Sequence, residues 1–98
     1  MKDGGLSSVQ ISYCPACGWM LRAGWFAQEI LSSFTNELET VVLHPAKEQP
    51  GLFQVRIGDD LIWCRKKEKG FPQVKELKKR IRDKICPQRD LGHIDRSD

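Results

Sequence analysis

Two cysteines three positions apart, in the segment YCPACGW (13–19), constrain this chain more than any other feature. The residues that lead into them, VQISYC (9–14), alternate apolar and polar side chains and predict a strand. Apolar residues after Trp19 recur at three- and four-residue steps, which predicts an amphipathic helix from Cys17 to Phe34. The two thiols therefore fall where a strand ends and a helix begins.

The remaining patterns complete a β-α-β-β-β-α order. ETVVLHP (39–45) predicts a strand, and LFQVRIGDDLIWC (52–64) predicts a hairpin that turns at Gly58-Asp59. A second helix is expected between Pro72 and Pro87, with Val74, Leu77, Ile81 and Ile85 as its apolar stripe and Lys75, Lys78, Lys79 and Arg82 facing solvent. A right-handed crossover makes the first two strands parallel, and the hairpin adds antiparallel strands. The sequence thus predicts an α/β fold with a four-stranded mixed sheet in order 2-1-3-4 and both helices on one face.

The hairpin pattern also predicts which side chains share a face. A two-residue turn pairs Val55 with Ile62 and Phe53 with Cys64, so these four face the core. Leu61 and Trp63 then lie on the sheet face that carries no helix. We expect this open face around Trp63 either to be a surface for a homodimer or a protein partner, or to be covered by residues 1–8 or the C-terminal tail.

Composition places the chain among ordinary globular proteins. Its 98 residues, 40% hydrophobic and 30% charged, suit a single domain, 1–98, with flexible tails at 1–8 and 88–98. Because no apolar run approaches the ~20 residues that span a bilayer and no secretory h-region is present, we expect no membrane association and a cytoplasmic location, where thiols stay reduced. The net charge is only +3, so the Lys/Arg clusters at 65–69 and 75–84 predict solvated helix faces rather than a nucleic-acid site.

A structural disulfide and a metal site both explain the cysteine pair poorly, the first because four cysteines in 98 residues are too sparse for a disulfide-stapled secreted scaffold. Structural zinc needs four ligands, usually from two paired knuckles. The other cysteines, Cys64 and Cys86, and the histidines, His44 and His93, stand singly. We therefore predict no bound metal or cofactor, and we assign none of these four residues a role.

A thiol–disulfide redox centre explains the position of the pair better. The partial positive charge and free amides of a helix N-terminus favour a thiolate, and a CxxC between the first strand and helix of an α/β pattern is typical of thioredoxin-like proteins. Cys14 and Cys17 are thus the candidate catalytic residues. The aromatic side chains of Tyr13 and Trp19 are expected to give the site apolar edges.

Two separated motifs also resemble a known family. YCPACGW after a strand is similar to the redox motif of the selenoprotein W, T and H group, the Rdx family, and GLFQVRIGDDLIWCRKKEKGFPQVKELKKRIRD resembles that family's G-x-F-x-V hairpin, K-K-x-x-G-F-P loop and following helix. The resemblance covers about Val9 to Asp83, and the tail PQRDLGH is similar to bacterial members. Selenoproteins of the group carry selenocysteine where this chain has Cys17, so the chain resembles a cysteine-containing bacterial homologue.

The resemblance implies a thioredoxin-like domain and antioxidant thiol redox chemistry, with glutathione or a thioredoxin system as electron donor and a protein or glutathione disulfide as substrate. A redox-sensing interaction module without catalytic turnover is the alternative. Thioredoxin chemistry favours Cys14 as the nucleophile, whereas the selenocysteine position favours Cys17. The sequence leaves this choice open, with a preference for Cys14 in disulfide exchange.

Overall fold

The computed structural model describes residues 7–92 and contains the predicted elements in the predicted order, with one short helix added. That addition, α2, is a single turn directly after the hairpin, in the basic cluster at 65–69. The elements are β1 (Ser7–Tyr13), α1 (Met20–Ser33), β2 (Leu38–Pro45), β3 (Phe53–Ile57), β4 (Asp60–Cys64), α2 (Arg65–Glu68) and α3 (Val74–Ile85).

The four strands form one mixed sheet in the order β2-β1-β3-β4. β1 runs parallel to β2 and antiparallel to β3, and β3 and β4 form the antiparallel hairpin. β1 is thus an interior strand, with a neighbour on each side. The predicted strand order is confirmed, and the cysteine pair follows the end of this interior strand.

The core lies between one face of the sheet and the two long helices. Alternate residues of β1 and β3 point to this face, because successive side chains of a strand point to opposite sides. Both helices contribute to the same buried cluster, as predicted. Its largest fully buried side chains include Phe34, Phe53, Ile11, Ile30, Leu77 and Ile81.

The hairpin contains a β-bulge that the sequence did not predict. Ile57 pairs with Asp60 as expected, but the register shifts between Val55 and Arg56, so that Val55 pairs with Trp63. The predicted pairs Val55–Ile62 and Phe53–Cys64 are therefore wrong. An extra residue in one strand of an antiparallel pair reverses the facing of every residue beyond it.

The bulge moves Trp63 into the core. Trp63 is 8% exposed, and its Nε1 donates to the carbonyl oxygen of Gly70 at 2.9 Å. The Arg80 guanidinium lies over its ring, 4.5 Å from the centroid. The predicted partner surface around Trp63 is therefore wrong in its residues. By strand alternation, the helix-free face carries mainly the polar side chains of Gln10, Ser12, His44, Gln54 and Arg56.

Cys64 is buried, as predicted, but on the opposite side of the sheet from the expected one. It pairs with Gln54, whose Nε2 lies 4.0 Å from the Cys64 Sγ. The expectation that Cys64 lies opposite Phe53 is wrong, because the bulge turns Cys64 to the other face of the sheet.

The helices differ from the prediction at their starts and at one lysine. α1 begins at Met20 rather than Cys17, and α3 begins after Gln73, so Pro72 precedes the helix instead of occupying its first turn. Lys78, expected to face solvent, is buried, and its Nζ lies 2.9 Å from Glu29 Oε1 on α1. This ion pair joins the two helices.

The segments expected to be flexible tails lie only partly within the described residues. Ser7 and Ser8 belong to β1. After α3, Leu91 packs against the core, and the Arg89 Nη1 lies 2.8 Å from Glu37 Oε1. The flexibility of these segments stays a prediction.

Candidate functional site

The cysteines occupy a tight turn between β1 and α1. The Gly18 amide donates to the Pro15 carbonyl at 3.1 Å, and Gly18 has a φ of +76°, which favours glycine. The first amide bonded within α1 is that of Ala23, which donates to Trp19 at 2.9 Å. The turn leaves Cys17 exposed, while Cys14 directly follows β1 and is 1% exposed.

Neither cysteine lies in the first turn of α1, contrary to the prediction. The helix begins three residues after Cys17, and the influence of a helix dipole falls off within the first turn. Local hydrogen bonds must therefore provide most of the stabilisation of a thiolate here.

Those hydrogen bonds shift the pKa values of the two thiols in opposite directions. The Cys17 thiol donates to the Cys14 sulfur, and this bond, together with the amides of Gly51, Cys17 and Ala16, lowers the pKa of Cys14 despite its burial. The same bond raises the pKa of Cys17, because Cys17 must give up the proton that it shares with Cys14. As pH rises, Cys14 therefore ionises first, and Cys17 holds its proton until a higher pH.

Gly51 comes to the pair from the loop between β2 and β3. The Ala46 amide donates to the Tyr13 carbonyl at 2.8 Å, which ties the start of this loop to the end of β1. Gly51 has a φ of +79°. On its other side, Arg65 Nε and Nη2 lie 3.4 and 3.3 Å from the Gly51 carbonyl oxygen. The charge of Arg65 also lowers the pKa of Cys17, against the larger effect of Cys14.

Aromatic rings and guanidinium groups form one side of the site. The Trp19 and Phe71 rings meet edge to face with centroids 4.9 Å apart. The Arg65 guanidinium lies 4.9 Å from the Trp19 centroid, and the Arg22 guanidinium lies 4.1 Å from the Phe71 centroid. Tyr13, the other predicted edge, is only 6% exposed and belongs to the core, so that expectation is wrong.

Sequence reasoning found the two cysteines but missed the residues that surround them. Gly51, Arg65 and Phe71 are distant along the chain, and folding brings them to the pair. Gly51 and Phe71 belong to the G-x-F-x-V and K-K-x-x-G-F-P motifs. These motifs therefore marked both residues in the sequence, but did not show that they lie beside the cysteines. The short helix α2, with Arg65 as its first residue, makes the connection.

The other singled-out residues lie elsewhere. His44 Nδ1 is 3.1 Å from the Ser12 Oγ on the helix-free face of the sheet. Cys86 follows α3 and packs against the core, and burial raises its pKa. His93 lies outside the described residues. Within residues 7–92, no group of three or more His, Cys, Asp or Glu side chains is placed to hold a metal ion.

Comparisons with known proteins fit this arrangement. The model of the Rdx family matches residues 8–83, which include the cysteine turn, the sheet and most of α3. The chain belongs to the Rdx family. Rdx membership together with the Cys14–Cys17 pair indicates thiol redox chemistry.

Solved structures extend the Rdx assignment to the fold. A selenoprotein W-related protein from Vibrio cholerae is 44% identical, and the match covers 83% of this chain and 99% of that one with a TM-score of 0.78. A Bordetella parapertussis protein is 40% identical over 83% of this chain and 100% of its own, also with a TM-score of 0.78. These similarities confirm the thioredoxin-like α/β fold of an Rdx protein. The search of curated proteins gives no match, and no helix among residues 7–92 is long and apolar enough to cross a membrane.

Proposed function

We propose that this Rdx protein is a thiol–disulfide oxidoreductase in which Cys17 attacks the substrate disulfide and Cys14 resolves the product. The observation that carries the proposal is the asymmetry of the pair: Cys17 is exposed, whereas Cys14 is 1% exposed and its ionised form is stabilised. An external disulfide meets Cys17 first, because the sulfur of Cys14 is covered.

The first step uses the hydrogen bond between the two thiols. Cys14 holds the negative charge and accepts the proton of Cys17, so that Cys17 becomes the thiolate. The Cys17 thiolate then attacks one sulfur of the substrate disulfide, forming a mixed disulfide and releasing the other sulfur as a thiolate that takes up a proton from water. Cys14 acts here as the base because it is the thiol that is already ionised. The transfer runs from the thiol of higher pKa to the thiolate of lower pKa, so the Cys17 thiolate is the minor form, and its attack draws the equilibrium forward.

The second step completes the two-electron transfer. Cys14 loses its proton to water and attacks the Cys17 sulfur, and the remaining substrate sulfur leaves as a thiolate and is protonated. In sum, the substrate disulfide gains two electrons and two protons, and the Cys14–Cys17 pair is oxidised to a disulfide. The amides of Gly51 and Ala16 stabilise the Cys14 thiolate as it forms.

A thiol reductant must then restore the pair. Glutathione, or the dithiol of a thioredoxin system, reduces the Cys14–Cys17 disulfide by the same exchange in reverse. Glutathione serves in this proposal as a diffusing reductant and is not a bound cofactor.

Turnover of a disulfide substrate tests the proposal. The reduced protein is mixed with a large molar excess of a small disulfide, with glutathione as reductant. The thiol product is then measured over time. We expect many product molecules per chain in the wild type, and none above the uncatalysed rate in the double variant Cys14→Ser/Cys17→Ser. Stoichiometric oxidation of the pair without further product would contradict the enzyme proposal and favour a redox-sensing module.

A further inference from the structure

Apolar side chains are exposed beside the cysteine turn. Met20, Leu21 and Trp25 have 56%, 81% and 48% of their surface accessible, and all lie within the first six residues of α1. Single exposed apolar residues are ordinary on a protein surface, but adjacent ones mark an interaction site more often. We call these three residues the α1 patch.

The α1 patch begins close to the exposed Cys17. Leu21 and Trp25 are four residues apart, so their side chains lie together on one side of α1. That side points away from the core-facing residues Ala23 and Ala27. Since Met20 follows Cys17 by three residues, their Cα atoms are at most ~11 Å apart.

Two guanidinium groups flank the same turn. Arg22, on α1, lies over Phe71, and Arg65 lies over Trp19. Among residues 7–92, neither forms an ion pair with a carboxylate, and the sequence contains no Asp or Glu between Gln10 and Gln28. Arg65 uses Nε and Nη2 on the Gly51 carbonyl oxygen. In the described part of the chain, Arg65 Nη1 and the Arg22 guanidinium make no hydrogen bond. The turn thus has an apolar side and a positively charged side.

We propose that this surface docks the disulfide-bearing segment of a polypeptide, with an apolar side chain on the α1 patch and an acidic side chain at Arg22 and Arg65. This inference rests on the proposed function and names the substrate class for it. Charge complementarity selects the acidic residue, because carboxylates bind guanidinium groups through paired hydrogen bonds. Glutathione disulfide is also anionic, but it lacks a large apolar side chain to cover Leu21 and Trp25.

Reaction rates with matched peptide disulfides test the inference. Each peptide is about eight residues long and is joined through its cysteine to the same neutral 2-pyridylthiol group, whose release is followed by absorbance. The full peptide has a leucine before and an aspartate after the cysteine. In the others, serine replaces the leucine or asparagine replaces the aspartate. The 2-mercaptoethanol and glutathione adducts of the same group complete the set.

The expected result is a selectivity that depends on the α1 patch and on Arg22. The full peptide should react about 3-fold to 10-fold faster than its leucine-to-serine form and about 1.5-fold to 5-fold faster than its aspartate-to-asparagine form. Leu21→Ser/Trp25→Ser should bring the first ratio close to 1. Arg22→Gln should lower the second ratio and leave the part that Arg65 provides. Added salt should lower only the ratio of the full peptide to its asparagine form, because ions screen exposed charges.

Matched control variants lie away from the turn. Leu31→Ser removes an apolar side chain of the same type, 41% exposed, from the same helix roughly 15 Å further along. Arg56→Gln removes a guanidinium from the helix-free face of the sheet. Neither control should change either ratio.

The outcomes separate the inference from the proposed function. Equal rates for all the peptides, or ratios unchanged by Leu21→Ser/Trp25→Ser and Arg22→Gln, would overturn the docking surface while the pair still reacts. A glutathione adduct that reacts faster than the full peptide would also overturn it and point to a small substrate. Failure of even the 2-mercaptoethanol adduct to oxidise Cys14 and Cys17 would instead contradict the proposed function.

Discussion

Arg65 and Gly51 link the basic segment after the hairpin to the cysteine pair. Arg65 Nε and Nη2 lie 3.4 and 3.3 Å from the Gly51 carbonyl oxygen, while the Gly51 amide is directed at the thiols. Arg65 thus acts on the site twice, by its charge and by holding Gly51. It is a positioning residue, because its contact with the reacting sulfurs passes through Gly51.

Replacing Arg65 should therefore shift the ionisation of the pair to higher pH. In Arg65→Gln, Cys17 loses a nearby positive charge and the Gly51 carbonyl loses its two hydrogen bonds. The alkylation rate should therefore rise at a higher pH than in the wild type. Arg65→Lys keeps the charge but not the two hydrogen bonds, and its curve should lie between the two. An Arg65→Gln curve that overlies the wild-type curve would show that Arg65 does not act on the thiols.

Gly51→Ala should destabilise the protein by about 1–2 kcal/mol. Gly51 has a φ of +79°, and an L-residue other than glycine pays roughly this cost in the left-handed region. Space is not the obstacle, since an added Cβ would lie 3.6 Å from the Arg65 and Lys66 side chains, an ordinary contact. Urea denaturation measures the loss.

Gly24→Ala provides the opposite control. Gly24 lies inside α1, and an added Cβ there meets no atom within 4 Å. This substitution should therefore stabilise the protein by about 0.5–1 kcal/mol. Equal effects of the two substitutions would show that the conformation of Gly51 is not strained for other residues.

Glu29→Ala should cost more free energy of unfolding than Lys78→Met. Lys78 is 9% exposed in its side chain, so loss of Glu29 leaves a buried ammonium group without its partner. Methionine at position 78 keeps the apolar stem and leaves Glu29, 37% exposed, to be solvated by water. We expect about 1–3 kcal/mol for Glu29→Ala, below the range of fully buried pairs because Glu29 is partly exposed. The reverse order of the two losses would contradict the burial of the Lys78 amine.

The ion pair of Glu68 and Arg80 should contribute to acid denaturation. Arg80 Nη1 lies 2.6 Å from Glu68 Oε2, and this hydrogen bond lowers the pKa of Glu68 in the folded protein. A lowered folded pKa stabilises the protein above the unfolded pKa of ~4.3, and the stabilisation is lost as pH falls through the folded value. In Glu68→Gln, the free energy of unfolding should thus depend less steeply on pH below ~4.3. An unchanged slope would exclude the contribution.

The strand order and the position of the thiols could be predicted because each rests on a local pattern plus one chirality rule. The alternation in β1 and the three- and four-residue steps in α1 are strong signals, and a right-handed crossover leaves few arrangements. The start of α1 could not be predicted, because the apolar periodicity does not reveal the turn that Gly18 makes between Cys17 and Met20.

The bulge in β4 could not be read from the sequence, for a different reason. Leu61, Ile62, Trp63 and Cys64 are all apolar, so this strand has no alternation to fix its register. Tertiary packing decides it: with Ile62 as the extra residue, the large Trp63 ring enters the core and its Nε1 finds the Gly70 carbonyl. The burial of Lys78 likewise depends on Glu29, which only the packing of α1 against α3 brings near.

The proposal that Cys17 attacks and Cys14 resolves is tested most directly by trapping in single-cysteine variants. Cys14→Ser and Cys17→Ser proteins, each with Cys64 and Cys86 also replaced by serine, are mixed with one disulfide at neutral pH, and the mixed disulfide is followed by intact mass. We predict that Cys14→Ser accumulates a stable adduct on Cys17, because the exposed Cys17 loses the base but also loses the neighbour that raises its pKa. Cys17→Ser should form an adduct on the covered Cys14 at least about 10-fold more slowly, as expected for a buried thiol. Equal or faster trapping on Cys14 in the Cys17→Ser protein would contradict the account.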